Sequence, residues 1–341
     1  MKNIDWDALA DSIKEGQTIL FLGQGITYNY QNPGNEALAF AQIRQELGED
    51  ALSFHQKDGL FILKTTPKRK LTPKLKEFYG KDFTNPLLEK LAEIPFHLII
   101  SLTPDVALKK VFQARQFPHA HAYYKLNQKD DLGKPEKEKP LLYNLFGCVE
   151  GGKDDLYIEH ADLFDYVRSI YNPNSEPPDV IMSCFAKGKT DTIIFLGCGF
   201  DKWYFQLILH LLKIHDIETN TSVLNNTAND WQNVYEQKFK INFVEDNLEE
   251  FVHNLHQQFA PAELRKADAS LAFSIEELKT KLNEWIEEGD YPKAFTAIEA
   301  NPTLVYDKVI FNQLRDEMSF KITLNTIKQL QTFITSLKNK A

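Results

Sequence analysis

The stretch Thr18-Ile-Leu-Phe-Leu-Gly-Gln-Gly-Ile-Thr27 decides the fold class of this 341-residue chain. Residues 18–22 form an apolar run of the kind that is buried on both faces of a parallel sheet. Gly23 and Gly25 follow at once, and glycine lets a backbone turn tightly or approach a ligand closely. The order of strand, glycine turn and helix predicts the start of a nucleotide-binding α/β domain.

Strand and helix patterns alternate along the chain as far as residue 259, and a helix is predicted at 36–47 after the first glycine turn. This alternation predicts a Rossmann-like α/β fold with a mostly parallel sheet and helices on both faces. The further predicted strands are 96–101, 141–146, 192–196, 221–224 and 241–244. Beyond a break near 261–270, four helices and no strand are predicted. We therefore expect two domains, 1–262 and 270–341, the second small and all-helical.

Composition excludes several classes of function. The formal net charge of −9 disfavours a nucleic-acid-binding protein, because such binding needs many Lys and Arg contacts. The three cysteines lie far apart in sequence and form neither a disulfide framework nor a zinc site, which fits a reducing cytoplasm. No stretch approaches the roughly 18 apolar residues of a membrane span. We expect a cytoplasmic protein that does not enter a membrane.

A second glycine pair, Gly197 and Gly199, ends another predicted strand, and Asp201 follows at a predicted helix start. Ligands of such sheets bind beyond the carboxyl ends of the strands, where helix N-termini favour phosphate groups. The two glycine pairs could therefore face one nucleotide. The predicted contacts are Gly23, Gln24, Gly25, Ile26, Thr27, Gly197, Gly199 and Asp201. Glycines that serve packing alone, and an Asp201 that only caps its helix, remain open as alternatives.

Two alternating histidines, His119 and His121, are candidate metal ligands. Alternate residues of a strand point to the same face, so these two could share an ion. No third ligand stands at a suitable spacing. A surface position beside the charged segment 128–140 explains them better, and no metal site is predicted.

Five segments occur in the order of a known family's motifs. FLGQGIT (21–27) resembles an F-x-G-A-G-x-S turn, residues 98–112 resemble a T-T-N-x-D segment, and LYNLFG (142–147) resembles a K-L-H-G segment. Residues 161–170 resemble a D-Y-x-x-Y helix, and 195–209 a G-x-S-x-x-D turn and helix. Over about residues 5–260 the chain thus resembles the sirtuin-like NAD hydrolase (NADase) domains of bacterial antiviral defence proteins.

The resemblance implies NAD or ADP-ribose as the ligand, with Thr103 among the residues that contact it. In the family, an Asn and a His remove nicotinamide, but the matching positions here hold Thr103 and Phe146. Because phenylalanine cannot exchange a proton, we expect a catalytically degenerate protein that still binds the nucleotide. The alternative is an active NAD hydrolase in which Asp105, Asn144 or a loop histidine substitutes. A third possibility is a structural subunit without a ligand.

The last predicted helices, about residues 270–340, resemble the effector-associated adaptor domains of bacterial conflict systems. This resemblance implies a protein partner that docks on the C-terminal helices. The alternative is a helical cap or a dimerisation arm, since amphipathic helices resemble one another. Homo-oligomerisation is therefore left open.

Overall fold

The computed structural model describes residues 4–27, 52–55, 60–63, 68–80, 85–152, 155–157, 160–200, 202–223, 232–244, 247–268, 275–299 and 304–339. The helix predicted at 36–47 and the site residue Asp201 lie outside these ranges. Contacts divide the chain into two compact units. The first is Met1–Val111 with His119–Lys266, and the second is Phe112–Pro118 with Ala267–Ala341.

The first unit is built on a seven-stranded sheet in the order β5-β6-β4-β1-β7-β8-β9, in which all neighbouring strands are parallel. The strands are β1 (Thr18–Leu22), β4 (Leu98–Ser101), β5 (Ala120–Tyr123), β6 (Leu141–Asn144), β7 (Thr192–Leu196), β8 (Thr219–Val223) and β9 (Ile241–Val244). All five residues of β1 are buried between β4 and β7. The predicted Rossmann-like α/β class is confirmed. A separate hairpin, β2 (Leu52–His55) with β3 (Leu60–Leu63), was not predicted.

Helices lie around the sheet. They are α1 (Trp6–Lys14), α2 (Gln24–Thr27), α3 (Lys68–Tyr79), α4 (Pro86–Glu93), α5 (Ala107–Ala114), α6 (His160–Ile170), α7 (Asp179–Cys184), α8 (Trp203–Leu211), α9 (Gln232–Phe239) and α10 (Leu248–Gln257). Ile19 and Phe21 belong to the apolar core that includes buried residues of α6 to α9. Leu22 points to the opposite face, where it lines a cavity with Leu88 of α4. Apolar residues on both faces explain why the strands are continuous apolar runs.

The described residues of the second unit after Lys266 contain four helices, as predicted: α11 (Ile275–Glu287), α12 (Tyr291–Glu299), α13 (Lys308–Phe320) and α14 (Leu324–Ser336). The expectation of no strand was wrong, because Leu304–Val305 pairs with Lys338–Asn339 as a short antiparallel ladder, β10 with β11. Two-residue strands carry no periodicity that a sequence pattern could reveal. The helices enclose their own apolar core, which includes Leu282, Phe311 and Ile334. Val309 and Leu324 are exposed large apolar residues of this unit.

All three cysteines are free thiols. Burial raises the pKa of Cys148 to about 12 and that of Cys184 to about 11. Burial also raises the pKa of Cys198, whose Sγ lies 3.7 Å from the carbonyl oxygen of Leu196 and 3.9 Å from that of Phe21. These thiols are therefore protonated and unreactive at neutral pH in the folded protein.

No helix in the described part of the chain is long and apolar enough to cross a membrane.

A half-buried arginine closes one end of the first unit. Arg265 donates from Nε to the carbonyl oxygen of Ala92 at 3.0 Å, and from Nη2 to those of Ile94 at 3.2 Å and Phe96 at 3.0 Å. Its Nη1 donates to the carbonyl oxygen of Lys137. Burial lowers the pKa of this guanidinium to about 10, which still leaves it charged at neutral pH. Arg265 thus donates to carbonyl groups at the end of α4 and between α4 and β4, and to that of Lys137.

His97, immediately before β4, should make the first unit sensitive to acid. Its side chain is buried, and its Nδ1 has no hydrogen-bond partner among the described residues. Burial and the charge of Lys134 lower its pKa from 6.5 to about 4, although a hydrogen bond with Thr18 opposes this shift. Between these two pH values the His97 imidazole is protonated in the unfolded chain but not in the folded chain. The free energy of unfolding therefore falls as the pH falls.

The expected loss of unfolding free energy from His97 between pH 6.5 and 4 is about 3 kcal/mol. Urea unfolding across this pH range measures it. His97→Gln, which cannot take up a proton, should remove this part of the pH dependence. An equally steep pH dependence in the variant would contradict the assignment.

Candidate nucleotide site

The two glycine turns pack directly against each other at the carboxyl ends of β1 and β7. The amide of Gly23 donates to the carbonyl oxygen of Leu196 at 2.9 Å, and that of Gly25 to Gly197 at 3.0 Å. A Cβ on Gly23 would lie 2.2 Å from the carbonyl oxygen of Gly197. Gly197 has a φ of +64°, and a Cβ there would lie 2.3 Å from the amide nitrogen of Ile26. Backbone packing therefore requires these glycines, and a ligand at this edge would lie over them and not between them.

The other predicted nucleotide contacts are spread along the same edge. Gln24 and Gly25 are half-buried, whereas the side chain of Ile26 is fully buried and can offer a ligand only its backbone. Thr27 is the last residue of α2, and Gly199 is half-buried after β7. The sheet order places β1 beside β7 where the chain reverses direction across the sheet, which is where ligands of such folds bind.

Two residues at this edge were not among the predicted contacts. Lys202 is the N-cap residue of α8, directly after the Gly197 turn, and it is mostly buried. Asn85 caps α4 by accepting from the amide of Leu87 at 2.9 Å, and its Nδ2 donates to the carbonyl oxygen of Ile26. The Asn-Pro pair at 85–86 is a typical helix start and could have predicted the cap, but not the bond to the glycine turn.

The turn after β4, residues 103–105, is closed by local hydrogen bonds. Thr103 is buried, and its hydroxyl lies 2.9 Å from the hydroxyl of Ser101. Asp105 is also buried, and its Oδ1 accepts from the amide of Ala107 at 2.9 Å, which caps the start of α5. Neither side chain is placed as a free proton donor or acceptor. Asp105, predicted as a substitute catalytic group, is therefore in the position of a capping residue.

Asn144, the other predicted substitute, lies at the end of β6 and holds this turn. Its Nδ2 donates to the carbonyl oxygens of Thr103 at 2.7 Å and Asp105 at 2.8 Å. Its Oδ1 lies 2.8 Å from Nε2 of His121 on β5. The structure thus brings together Asn144, Asp105 and one of the two histidines. The alternating sequence Ala-His-Ala-Tyr at 120–123 is typical of a short strand, but this strand was not among those predicted.

The hydrogen bonds fix the tautomer of His121. Because both amide hydrogens of Asn144 point at carbonyls, its Oδ1 must accept, so Nε2 of His121 carries the hydrogen. Burial lowers the pKa of His121, and the bond with Asn144 raises it in part. The neutral ring therefore keeps Nδ1 as its basic atom, 3.7 Å from Oε2 of Glu150. Glu150 in turn pairs with Lys109 at 2.6 Å.

A cavity lies beside these polar groups on one face of the sheet. It is lined by Ser101, Asp105, Lys109, His121 and Asn144 together with apolar residues of β1, β4, α4 and α5. Its volume of about 20 Å³ has room for one water molecule and not for a nucleotide. A nucleotide would therefore lie at the open edge of the sheet, and this cavity lies behind it.

Phe146, the residue at the family's histidine position, stands in an aromatic cluster on the opposite face. Its ring centroid lies 4.8 Å from that of Tyr166 and 5.8 Å from that of Tyr204. Tyr166 in turn lies 5.0 Å from Tyr124 and 5.3 Å from Tyr157. This position therefore offers a ligand an aromatic surface and no acid or base.

The cluster makes a testable prediction, because the buried hydroxyl of Tyr166 has no hydrogen-bond partner among the described residues. Removing an unsatisfied hydroxyl relieves a desolvation penalty, so Tyr166→Phe should raise the free energy of unfolding by about 1 kcal/mol. Tyr124 is the matched control, since its hydroxyl lies 2.8 Å from Oγ of Ser169 and 2.7 Å from the carbonyl oxygen of Ser175. Tyr124→Phe should be destabilising. Urea unfolding of both variants tests this, and a loss of stability in Tyr166→Phe would contradict it.

No group of three or more potential metal ligands occurs among the described residues. His119 precedes β5, whereas His121 lies within it and is bonded to Asn144.

The parallel sheet and its order define a Rossmann-like α/β domain. Residues 98–224, from the start of β4 to just after β8, match the family model described as the SIR2-like domain. This segment is similar to SIR2-like domains, which points to an NAD-related ligand. The match covers less than half of the chain; it includes the turn at 103–105 and the second glycine pair, but not residues 21–27. No curated protein matches the chain.

Proposed function

We propose that the first unit binds NAD or ADP-ribose and has lost the ordinary hydrolysis of NAD. In this proposal the protein is a cytoplasmic pseudoenzyme of a bacterial defence system, and its C-terminal helices couple it to a protein partner. The SIR2-like match supports the class of ligand. The defence role rests on the resemblance of the sequence motifs.

The main support for lost hydrolysis is the environment of Phe146. Removal of nicotinamide in the family uses a histidine at this position, and here the ring packs on Tyr166 and Tyr204. Thr103, at the position of the family's asparagine, has its hydroxyl against Ser101. Neither residue can transfer a proton at neutral pH as placed.

Binding of a phosphate is supported by the edge between β1 and β7. The nine-residue helix α8 starts just after the second glycine pair, and its N-cap residue is a lysine that forms no side-chain cap. The amide groups at a helix start and a nearby positive charge both favour an anion. Gly23, Gly25, Gly199 and Lys202 would then surround the pyrophosphate, and Thr27 and Asp201 are proposed as further contacts.

Calorimetric titration with NAD and with ADP-ribose tests the binding, and a nicotinamide-release assay tests the chemistry. We expect heat with at least one nucleotide and no nicotinamide. Lys202→Met should weaken binding about tenfold, because it removes one charge from the phosphate site. Lys187→Met, at an exposed lysine, is the matched control. Absence of heat and of thermal stabilisation with both nucleotides would leave the protein as a structural subunit without a ligand.

The rival function, an active NAD hydrolase, is favoured by one observation. The structure places the imidazole of His121 and the amide of Asn144 in contact at 2.8 Å, beside Asp105. In this rival, Nδ1 of His121 accepts the proton of the attacking water while nicotinamide leaves. Release of nicotinamide that is lost in His121→Gln, which keeps the bond to Asn144 but has no basic atom, would establish it and overturn the pseudoenzyme.

A partner for the C-terminal helices is proposed from their sequence resemblance and from two exposed apolar residues. Val309 at the start of α13 is 76% exposed, and Leu324 at the start of α14 is 80% exposed. The products of neighbouring genes are the candidates, and co-purification with the full chain tests them. Val309→Asp or Leu324→Asp should reduce binding, whereas Gln329→Asp, at an exposed polar position of α14, should not. Equal binding by all variants would place the interface elsewhere.

A further inference from the structure

We propose that Lys109, Glu150, His121 and Asn144 form a positioning chain, which holds the turn at 103–105 in the conformation that ligand binding uses. This proposal rests on the proposed function of the first unit, because that turn forms part of the edge where the nucleotide would bind. It assigns Asn144 and His121 to positioning. Neither residue is then a substitute for the family's missing catalytic pair.

The first step concerns the hydrogen bonds that hold the turn from the end of β6. The two amide hydrogens of Asn144 are shared between the carbonyl oxygens of Thr103 and Asp105, and the amide of Val149 donates to Pro104 at 2.9 Å. Three successive carbonyl groups of the turn therefore accept hydrogen bonds from Asn144 and Val149. A turn held at each carbonyl has little freedom to change its backbone angles.

The second step is that the chain closes on itself. Lys109 belongs to α5, the helix that starts directly after the turn and that Asp105 caps. From Lys109 the contacts run through Glu150 to His121, then to Asn144 and back to the turn. The turn is thus held at its first and last residues by Asn144, and it leads into the helix that carries Lys109. Loss of any member should loosen both ends together.

The third step concerns the hydrogen on His121. Nε2 donates to Asn144, whereas Nδ1 of the neutral ring only packs against Oε2 of Glu150 at 3.7 Å, because two lone pairs form no hydrogen bond. A second proton at Nδ1 would attract the Glu150 carboxylate, which now pairs with Lys109. The charged and titratable groups facing the ring are Glu150, Lys109 and His119, with the ring of Tyr123 at 6.4 Å. Lys109 and His119 oppose the second proton, and Glu150 favours it.

Hydrogen exchange read by mass spectrometry tests the chain without any ligand. In His121→Ala, peptides that cover residues 101–108 should exchange about tenfold faster, because Asn144 loses the donor that orients it. His121→Gln should restore slow exchange, since its amide can donate to Asn144 as Nε2 does. Peptides from α13 in the same digest serve as the internal reference, and His215→Ala serves as the control for loss of an exposed imidazole.

Two outcomes would overturn the proposal. If these peptides exchange as slowly in His121→Ala as in the wild type, the histidine does not hold the turn. Equally fast exchange in His121→Gln and His121→Ala would assign the effect to packing of the ring and not to its hydrogen bond.

The pH profile of nucleotide binding adds a readout that a purely structural role would not move. Because burial lowers the pKa of His121 from its ordinary 6.5, affinity for ADP-ribose should fall only as the pH drops below 6.5 in the wild type and should stay level in His121→Gln. Identical profiles would contradict the role of His121. If the wild type binds neither ADP-ribose nor NAD, the proposed function fails, while the exchange measurement still decides whether the chain positions the turn.

Discussion

Gly197→Ala should destabilise the first unit by about 3 to 5 kcal/mol. Two costs add at this position. The residue has a φ of +64°, which a side chain tolerates poorly, and the new Cβ would lie 2.3 Å from the backbone nitrogen of Ile26. Because a backbone atom cannot move aside as a side chain can, the two turns must separate. Urea unfolding monitored by circular dichroism measures the loss, and nucleotide binding should be lost with it.

Gly188 provides the matched control for this substitution. It has a φ of +76°, but nothing lies within 4 Å of a Cβ built there. Gly188→Ala should therefore lower the free energy of unfolding only by the strain of a side chain at positive φ, about 1 kcal/mol. The difference between the two variants isolates the packing of the glycine turns. Equal losses in both variants would show that the turns do not depend on close backbone contact.

Arg265→Ala should lower the free energy of unfolding of the first unit by about 3 kcal/mol or more, which is the second large effect that we expect. The guanidinium donates to the carbonyl oxygens of Ala92, Ile94, Phe96 and Lys137, and its removal leaves these groups without that donor. Loss of a charged donor from partly buried acceptors is expensive. Arg265→Lys, with one donor group in place of a planar fork, should recover part of the stability. Urea unfolding compares the three proteins.

Arg168→Ala is the control for removal of an arginine. The Arg168 side chain is 85% exposed and its only described ion pair is with Asp165 at 3.9 Å. An exposed pair of this kind contributes at most about 1 kcal/mol. An equally small loss of unfolding free energy in Arg265→Ala and Arg168→Ala would mean that water can replace the guanidinium at these carbonyl groups. The role of Arg265 in stabilising the first unit would then be refuted.

The central part of the fold could be predicted from sequence because its signals are local. The apolar runs of β1 and β7 and the glycines after them lie in single short segments, and each strand appears where its pattern predicted it. β5 was missed because only four residues alternate, and two of these are His121 and Tyr123. The hairpin β2–β3 was missed because its strands are short and occur outside the alternation of strands and helices.

The site was harder to predict because its contacts join distant segments. Asn144 could be named as a polar residue near the family's histidine position. Its hydrogen bond to His121, however, depends on the pairing of β5 with β6. The sequence of neither strand shows that the two strands are neighbours. The same limit applies to the glycines. A pattern of two glycines predicts close approach of a backbone, but it does not say whether the approaching partner is a pyrophosphate or, as at Gly23 and Gly197, a second turn.

Cys198 gives the edge between β1 and β7 a built-in chemical reporter. Its thiol lies against carbonyl groups of both strands, so an alkylating reagent can reach it only when the strands part. The rate at which this single sulfur is modified therefore counts local openings of the nucleotide edge, even while the rest of the molecule stays folded. A nucleotide that holds the two strands together should slow that modification in proportion to its occupancy.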